Sequence, residues 1–381
     1  MFVLFLAQKM KYSFFIFLIC LFIALSSQSS PLFDNTEKDT LSSSIDEFFS
    51  ERTEGQWFLG FRKGKKPGEE FNQFTLKRGY VTFKHNLSKR LSARFTQDIT
   101  IDREGMDQGN VEMRLKYCYL NLNLNDFLIF TDPAFEFGLV HRPWMDFEQK
   151  INRYRVQGTM FLERVGMMNS ADFGVTFSSM IGGKMNKQYL ERVNSKYPGK
   201  YGTFSIGVYN GAGYHALERN KNKTMESRLT LRPFPESVPG LQFSYNMIYG
   251  KGNTSLSPDF ILNSGFLSYE REHLTLTAQY YKAKGNSSGS YADSLGIAYE
   301  NHGYSFFGEY KIPQTKLTIF GRYDLFDSEQ MVIPDNQRYI FGIGYYFYQQ
   351  NKLIVDVDYL DRKNNGLVDQ KIYEAAIEIH F

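Results

Sequence analysis

Lys371-Ile372-Tyr373-Glu374-Ala375-Ala376-Ile377-Glu378-Ile379-His380-Phe381 alternates without a break. Phe381, Ile379, Ile377, Ala375 and Tyr373 share one face; His380, Glu378, Ala376 and Glu374 share the other. A period of two is that of a β-strand. The same grammar recurs upstream. Leu91, Ala93 and Phe95 oppose Arg94, Thr96 and Asp98, and Leu241, Phe243, Tyr245, Met247 and Tyr249 oppose Gln242, Ser244 and Asn246. Tyr339, Phe341, Ile343, Tyr345 and Phe347 oppose Arg338, Gly342 and Gly344. Every segment has an oily face and a wetter one. No stretch after Leu25 approaches the roughly 20 apolar residues of a membrane helix, yet aromatics make up 17% of the chain, with 35 Phe and 26 Tyr. Low mean hydropathy with high aromatic content fits a membrane barrel, where alternate residues meet lipid and aromatic girdles mark both interfaces.

The turns supply a parity check, because such barrels have short turns at one end and longer loops at the other. Counting back from Phe381, short turns fall at Gln350-Asn351, Pro313-Gln314, Glu270 to Glu272, Phe234 to Pro239 and Leu87-Ser88. Longer connections fall between them, at Arg362 to Gln370, Asp327 to Asn336, Lys251 to Asp259, Asn210 to Thr224 and Arg142 to Asn169. Tyr291 to Tyr299 also reads as a strand, which would give an odd seventeen and break the alternation. Assigned instead to a long loop from about Lys284 to His302, it leaves sixteen antiparallel strands, with eighteen as the rival count. Alternation slips near Arg78-Gly79 and near Tyr119-Leu120, which points to a β-bulge or a misplaced boundary in each strand. The connection from Gly183 to Lys200 is too long for its end of the barrel and reads as an insertion.

Residues 1–30 have the form of a secretory signal, with Lys9 and Lys11 before the apolar run Phe14 to Leu25 and small residues near Ser26 to Ser29. Removing them lowers the formal net charge from +3 to +1, so sign preference has to come from where charges sit, and nucleic-acid binding gains no support. Cys118 is then the only cysteine, which excludes an internal disulfide or a thiolate metal site; no metal and no cofactor are expected. Residues 31–52 are not barrel-like. Ser44-Ile45-Asp46-Glu47 fits a capping box, so a short helix or a periplasmic extension precedes a barrel over residues 53–381.

Several stretches resemble the phosphate-selective porin O and P family and its porin-like relatives: Gly79-Tyr80-Val81-Thr82-Phe83, Arg94-Phe95-Thr96-Gln97-Asp98, Phe137-Gly138-Leu139-Val140-His141-Arg142-Pro143, Asp172-Phe173-Gly174-Val175, Gly207-Val208-Tyr209-Asn210-Gly211 and Lys316 through Asp324. The resemblance implies a sixteen-stranded trimeric channel for small solutes, with a bias to phosphate-like anions. The insertion at Gly183 to Lys200 departs from that pattern. The final strand, through Phe381, Ile379, Ile377 and Tyr373, resembles the C-terminal signal read by the barrel assembly machinery. It implies a Gram-negative outer membrane, lipid and lipopolysaccharide as surroundings, and both termini in the periplasm.

A sixteen-stranded barrel is too wide for its own side chains to fill. General porins fold their third loop inward, and Arg142 to Asn169 has that ordinal position. It carries Arg142, Lys150, Arg153, Arg155 and Arg164 against Asp146, Glu148 and Glu163, with Trp144, Phe147, Tyr154 and Phe161 as packing anchors. Arg94, Arg114, Lys116, Arg228, Arg232, Arg322 and Arg338 fall on wet faces, opposed by Asp98, Glu112, Glu226, Asp324, Asp356 and Asp358. Guanidinium groups in a narrow pore attract anions; paired with carboxylates they merely brace the wall. Both readings stand, and Arg142, Lys150, Arg153, Arg155, Arg164, Arg94, Arg114 and Arg322 form the candidate anion pathway. A plugged barrel for an oligosaccharide or hydrophobic ligand is the alternative function. Catalysis has no support, since the six histidines are scattered and the glycine pairs lack a strand-to-helix setting.

Overall fold

The computed structural model describes residues 53–381 except 67, 103–107, 331–334 and 363–368; the signal-like segment and residues 31–52 lie outside the described residues. Sixteen antiparallel strands close on themselves: β1 (Thr53–Lys66), β2 (Glu69–Asn86), β3 (Leu91–Ile101), β4 (Val111–Asn123), β5 (Phe130–His141), β6 (Ala171–Ile181), β7 (Gly202–Tyr209), β8 (Thr224–Leu231), β9 (Leu241–Lys251), β10 (Asp259–Glu270), β11 (Leu274–Lys284), β12 (Glu300–Lys311), β13 (Leu317–Ser328), β14 (Asn336–Tyr348), β15 (Asn351–Arg362) and β16 (Gln370–His380). Sixteen is the expected even count, and the rival eighteen is not observed among the described residues. Residues 285–299 form a loop with one isolated bridge, Ala292 to Ala298, instead of a seventeenth strand.

The seam joins β1 to β16 from Gln56↔His380 to Lys65↔Lys371. Beyond it, Gly55 and Phe381 exchange backbone hydrogen bonds of 2.8 and 3.1 Å. The Phe381 ring lies on Gly55, where a β-carbon would sit 2.2 Å from a ring atom. A side chain at position 55 would therefore displace the ring from this seat. Tyr373 and Phe381 are exposed on the outer wall while Glu374, Ala376 and Glu378 face the lumen buried, as the alternation requires. The outer wall carries exposed Phe341, Ile343, Tyr345, Leu353 and Val355. A belt of tyrosines crosses it, with ring centroids 4.8 Å apart for Tyr280–Tyr304 and 5.1 Å for Tyr323–Tyr339. Such a surface is stable against lipid, where a closed sheet leaves no backbone group unpaired.

Both predicted slips are present. In β2 the register shifts between Arg78, opposite Phe58, and Leu76, opposite Leu59, leaving Lys77 unpaired. In β4 the shift falls at Lys116, between Tyr117 and Leu115, three residues before the predicted point. Tyr117 and Tyr119 mislead the reading, since they look like a continuing outer face but turn inward toward Arg94 and His141. A bulge sends neighbouring residues to the same face, so Lys77 with Arg78, and Lys116 with Tyr117, all reach the interior.

At the end away from the termini, the connection between β5 and β6 is the longest, and it folds into the barrel. Its first helix, α1 (Pro143–Ile151), has proline at the first turn, where no N–H is needed. The wall carboxylate of Glu226 accepts the Trp144 N–H at 2.8 Å. A second short helix, α2 (Phe161–Arg164), begins the return. Trp144, Met145, Phe147, Ile151, Phe161 and Met167 form one buried cluster with Ile248, Phe260, Leu262, Phe266, Tyr281 and Phe326 of the inner wall. Each such aromatic or aliphatic side chain contributes about 1.5–3 kcal/mol on burial. The loop is therefore held as a core is held. Tyr154 and Val156 pack across the lumen on Phe307, Phe320, Ile340 and Ile354.

Candidate functional site

The inward loop runs nearly the length of the barrel. Near its lowest point the Tyr154 hydroxyl meets Glu309 at 3.0 Å and Thr318 at 2.7 Å, at the end of the strands close to the termini. It returns along β13 to β16 and β2. Lys77 donates to the Val156 and Gln157 carbonyls and pairs with Glu374, and Gln157 donates to Asp358 at 3.3 Å. Arg322 and Arg164 both donate to the Thr159 carbonyl, at 3.2 and 3.0 Å. At the loop mouth, asparagines stitch one connection to the next: Asn169 donates to the Ala212 carbonyl, Asn253 to Leu217 and Asn286 to Gly166. They frame a cleft of about 610 Å³ lined by Glu163, His215, Arg219, Thr254 and Ser288.

The eight candidate pathway residues divide. Arg142 has no exposed surface; its Nε lies 2.5 Å from Glu226, its Nη1 lies 3.6 Å from Asp172, and its plane covers Tyr209. Arg322 is nearly as enclosed, 2.8 Å from Asp324, and Arg164 reaches the same carboxylate at 3.9 Å. These three hold the loop to the wall. Arg155 pairs with Glu163 at 3.2 Å and donates to the Tyr80 hydroxyl at 3.3 Å. Arg94 contacts Thr96 and His141 and covers Tyr117. Lys150 is half-buried on the loop, its carbonyl accepting from Asn194. The Arg114 and Arg153 side chains remain 23% and 36% exposed.

Arg114 belongs to a cluster that alternation alone does not predict. The fully buried Asp98 carboxylate accepts from Arg78 at 2.6 Å, Arg114 at 3.3 Å and the Tyr214 hydroxyl at 3.0 Å. Beside it Lys116 lies among the rings of Tyr80, Tyr117 and Tyr214, at 4.8, 5.7 and 5.4 Å. No carboxylate lies within ion-pair distance of Lys116 or Arg94 among the described residues. Glu112 lies 3.6 Å from Arg114 at the exposed rim of the cluster, so two acids face the three cations Arg78, Arg114 and Lys116 on the β2–β4 wall, and the Arg78 side chain is 25% exposed. The adjacent basic pair Lys77-Arg78 beside the predicted slip is the sequence signal that leads to it.

Charge on the loop is shaped by burial. Burial raises the Glu148 carboxyl to about 7, against the pull of Arg322 and the Trp144 indole N–H that it accepts at 2.8 Å. Burial would also raise Asp146, but His141, Lys150 and the Tyr197 hydroxyl outweigh it and hold that carboxyl well below the usual range. Among the described residues no three His, Cys, Asp or Glu side chains converge as metal ligands would.

The sequence matches no known family model and no curated protein sequence. Its architecture has solved counterparts. An anion-selective porin from Comamonas acidovorans superposes with a TM-score of 0.61 at 12% identity, covering 86% of this chain and 98% of the other. Salmonella typhi OmpF, in complex with daunomycin, gives 0.56 at 13% identity over 86% and 97%. The outer membrane channel DcaP of Acinetobacter baumannii gives 0.54 at 10% identity over 86% and 96%. At such identities the likeness is one of fold: the chain is a closed sixteen-stranded antiparallel β-barrel of porin architecture, with the third connection at the end away from the termini folded inside.

Proposed function

We propose that the chain is an outer-membrane porin of a Gram-negative bacterium, a passive channel for small hydrophilic solutes with a modest preference for anions, phosphate among them. The observation that carries this is the Asp98 cluster, where Arg78, Arg114 and Lys116 face only Asp98 and Glu112 on a solvent-reached lumen wall. Surplus guanidinium charge at a narrowing raises the local anion concentration and offers paired donors to phosphate or carboxylate oxygens. Arg153, whose side chain stays 36% exposed although Glu270 lies 3.9 Å away, extends this charge onto the inward loop, whereas Arg155, paired with Glu163, acts as a brace with Arg142, Arg164 and Arg322. The Comamonas porin, built on the same architecture, is anion-selective, which agrees with this reading.

In this reading the short-turn end and both termini face the periplasm, and lipid with lipopolysaccharide surrounds the belt. The Phe381, Ile379, Ile377, Tyr373 face is presented to the assembly machinery, and three copies associate, as Vibrio cholerae OmpT does in its trimer form. The chain works as a conduit, not as an enzyme. Single-channel recording of the refolded protein in planar bilayers tests it, with reversal potentials in a salt gradient and added phosphate. An open, anion-favouring current is expected. An open current without sign preference removes the anion role and keeps the channel; no current overturns the porin and favours a plugged, ligand-specific barrel.

A further inference from the structure

The connection between β6 and β7 runs from Gly182 to Tyr201, against three residues between β10 and β11 at the same end. Its neck is a narrow hairpin, with a Lys184↔Gly199 bridge and Met185 N–H donating to Pro198 at 2.8 Å. Beyond the neck it turns into the lumen instead of away from it. Its helix α3 (Lys187–Arg192) sets the buried Tyr189 ring under the wall guanidinium of Arg232, 4.6 Å away.

The turn after α3 meets the inward loop directly. Buried Asn194 donates both to the Lys150 carbonyl at 3.1 Å and to Glu270 at 2.8 Å. Tyr197 donates its hydroxyl to Asp146 and packs edge-on against Phe147 at 5.2 Å. Arg153 donates to the Val193 carbonyl at 2.7 Å. One wall residue grips both segments. Arg228 is almost fully buried, with Phe147 of the loop at 4.3 Å and Tyr197 of the turn at 4.9 Å over its plane, and it donates to the Pro143 carbonyl at 3.2 Å. Among the described residues no carboxylate pairs with it, so its charge is held by rings, hydroxyls and a carbonyl.

We infer that residues 182–201 are the second half of the constriction: entering from the opposite mouth, they lock the inward loop and position the Arg153 guanidinium at the passage. Ion selectivity in this barrel is therefore set from both mouths. The inference rests on the channel reading. Val193 enters through its backbone, so the lock is a property of chain path and length; Asn194 and Tyr197 are positioning residues.

The test compares the wild type, Asn194→Ala/Tyr197→Phe, and Arg153→Gln, each also carrying Ile151→Cys in a Cys20→Ser/Cys118→Ser background for labelling by a water-soluble maleimide. Ile151 is 2% exposed on the locked limb. The double variant should label about tenfold faster, the factor given by losing one or two net hydrogen bonds, and its reversal potential should move toward zero. Arg153→Gln should move the reversal potential at least as far but raise labelling less than the double variant does, since it gives up only the Val193 hydrogen bond and leaves those of Asn194 and Tyr197 in place, which separates charge from positioning. A conducting wild type with a double variant unchanged in both readouts overturns the lock and leaves the channel intact. Faster labelling with an unchanged reversal potential overturns the selectivity role. A silent wild type overturns the channel reading and this inference with it.

Discussion

Arg142 and Asp98 occupy the same barrel interior with opposite stoichiometry. At Arg142 two carboxylates, Glu226 and Asp172, enclose one guanidinium, and none of the three has exposed surface. At Asp98 two guanidiniums share one buried carboxylate beside Lys116, with Glu112 3.6 Å from Arg114 as the only other acid within ion-pair distance among the described residues, and both arginine side chains keep about a quarter of their surface in contact with solvent. The residue types are the same. What differs is the balance of acids and bases together with burial, and therefore whether the arginine is sealed as a strut or left with charge that a passing ion can feel. Counting arginines on wet faces cannot separate the two, and neither can counting carboxylates alone, since Arg164 and Arg322 share the one carboxylate of Asp324 and are nevertheless nearly enclosed; partners and exposure have to be read together.

The sharpest way to break the contrast is at the strut. Arg142→Ala leaves Glu226 and Asp172 buried without their counter-ion and should cost about 3–5 kcal/mol, read as a lower heat-modification temperature or denaturant midpoint. Arg142→Met with Glu226→Gln should recover much of that loss; equal loss in both would mean that packing, not charge, holds the site. Next in size is Phe266→Ala, under the Trp144 and Phe147 rings at 5.2 and 6.2 Å. It should cost about 3–5 kcal/mol but, unlike the strut, free the descending limb and broaden the conductance distribution.

A smaller effect follows from Glu148. Its carboxyl, ordinarily at 4.5, is raised to about 7 by burial, so its protonated form stabilises the loop fully below the ordinary value and that contribution is lost as pH rises through about 7. The difference in unfolding midpoint between wild type and Glu148→Gln should therefore shift from pH 5 to pH 8 by the equivalent of about 1–3 kcal/mol. A difference flat across that range would show that Glu148 is hydrated. Smallest in stability and most telling for function is Arg114→Gln, which leaves Asp98 with Arg78 and Tyr214. It should change stability by less than about 1 kcal/mol and shift the reversal potential toward cations. Arg142→Met/Glu226→Gln should leave that potential alone.

The barrel was legible because its signal is redundant: sixteen strands repeat one period, and parity alone removed Tyr291 to Tyr299 from the count. The inward course of the third loop was legible from its length and its ordinal position, with Trp144, Phe147 and Phe161 as packing anchors. The slip in β2 was readable at Arg78-Gly79; that in β4 was misplaced because Tyr117 and Tyr119 carry apolar rings and polar tips. The lumen chemistry was only partly legible. Arg142 and Arg164 could not be told from Arg114 or Arg153, since their partners come from strands distant in sequence; Arg322 has its partner Asp324 two residues on, but its enclosure by the inward loop through Thr159 is not written in the strand. The inward turn of residues 182–201 was read only as an insertion, because its anchors, Asn194 and Tyr197, have meaning only against Lys150, Glu270 and Asp146.

The seam between β1 and β16 has a consequence for how such a chain acquires its shape. Gln56 pairs with His380, and the Gly55 backbone with that of Phe381, so the ring closes through contacts spanning nearly the whole described chain. Loop closure of that length is slow and its entropy is recovered only at the end. Until then the sheet has two open edges, each a template for a wrong partner. The last turn of folding is thus the most hazardous, and a Phe381 ring seated on Gly55 acts as the clasp that ends it.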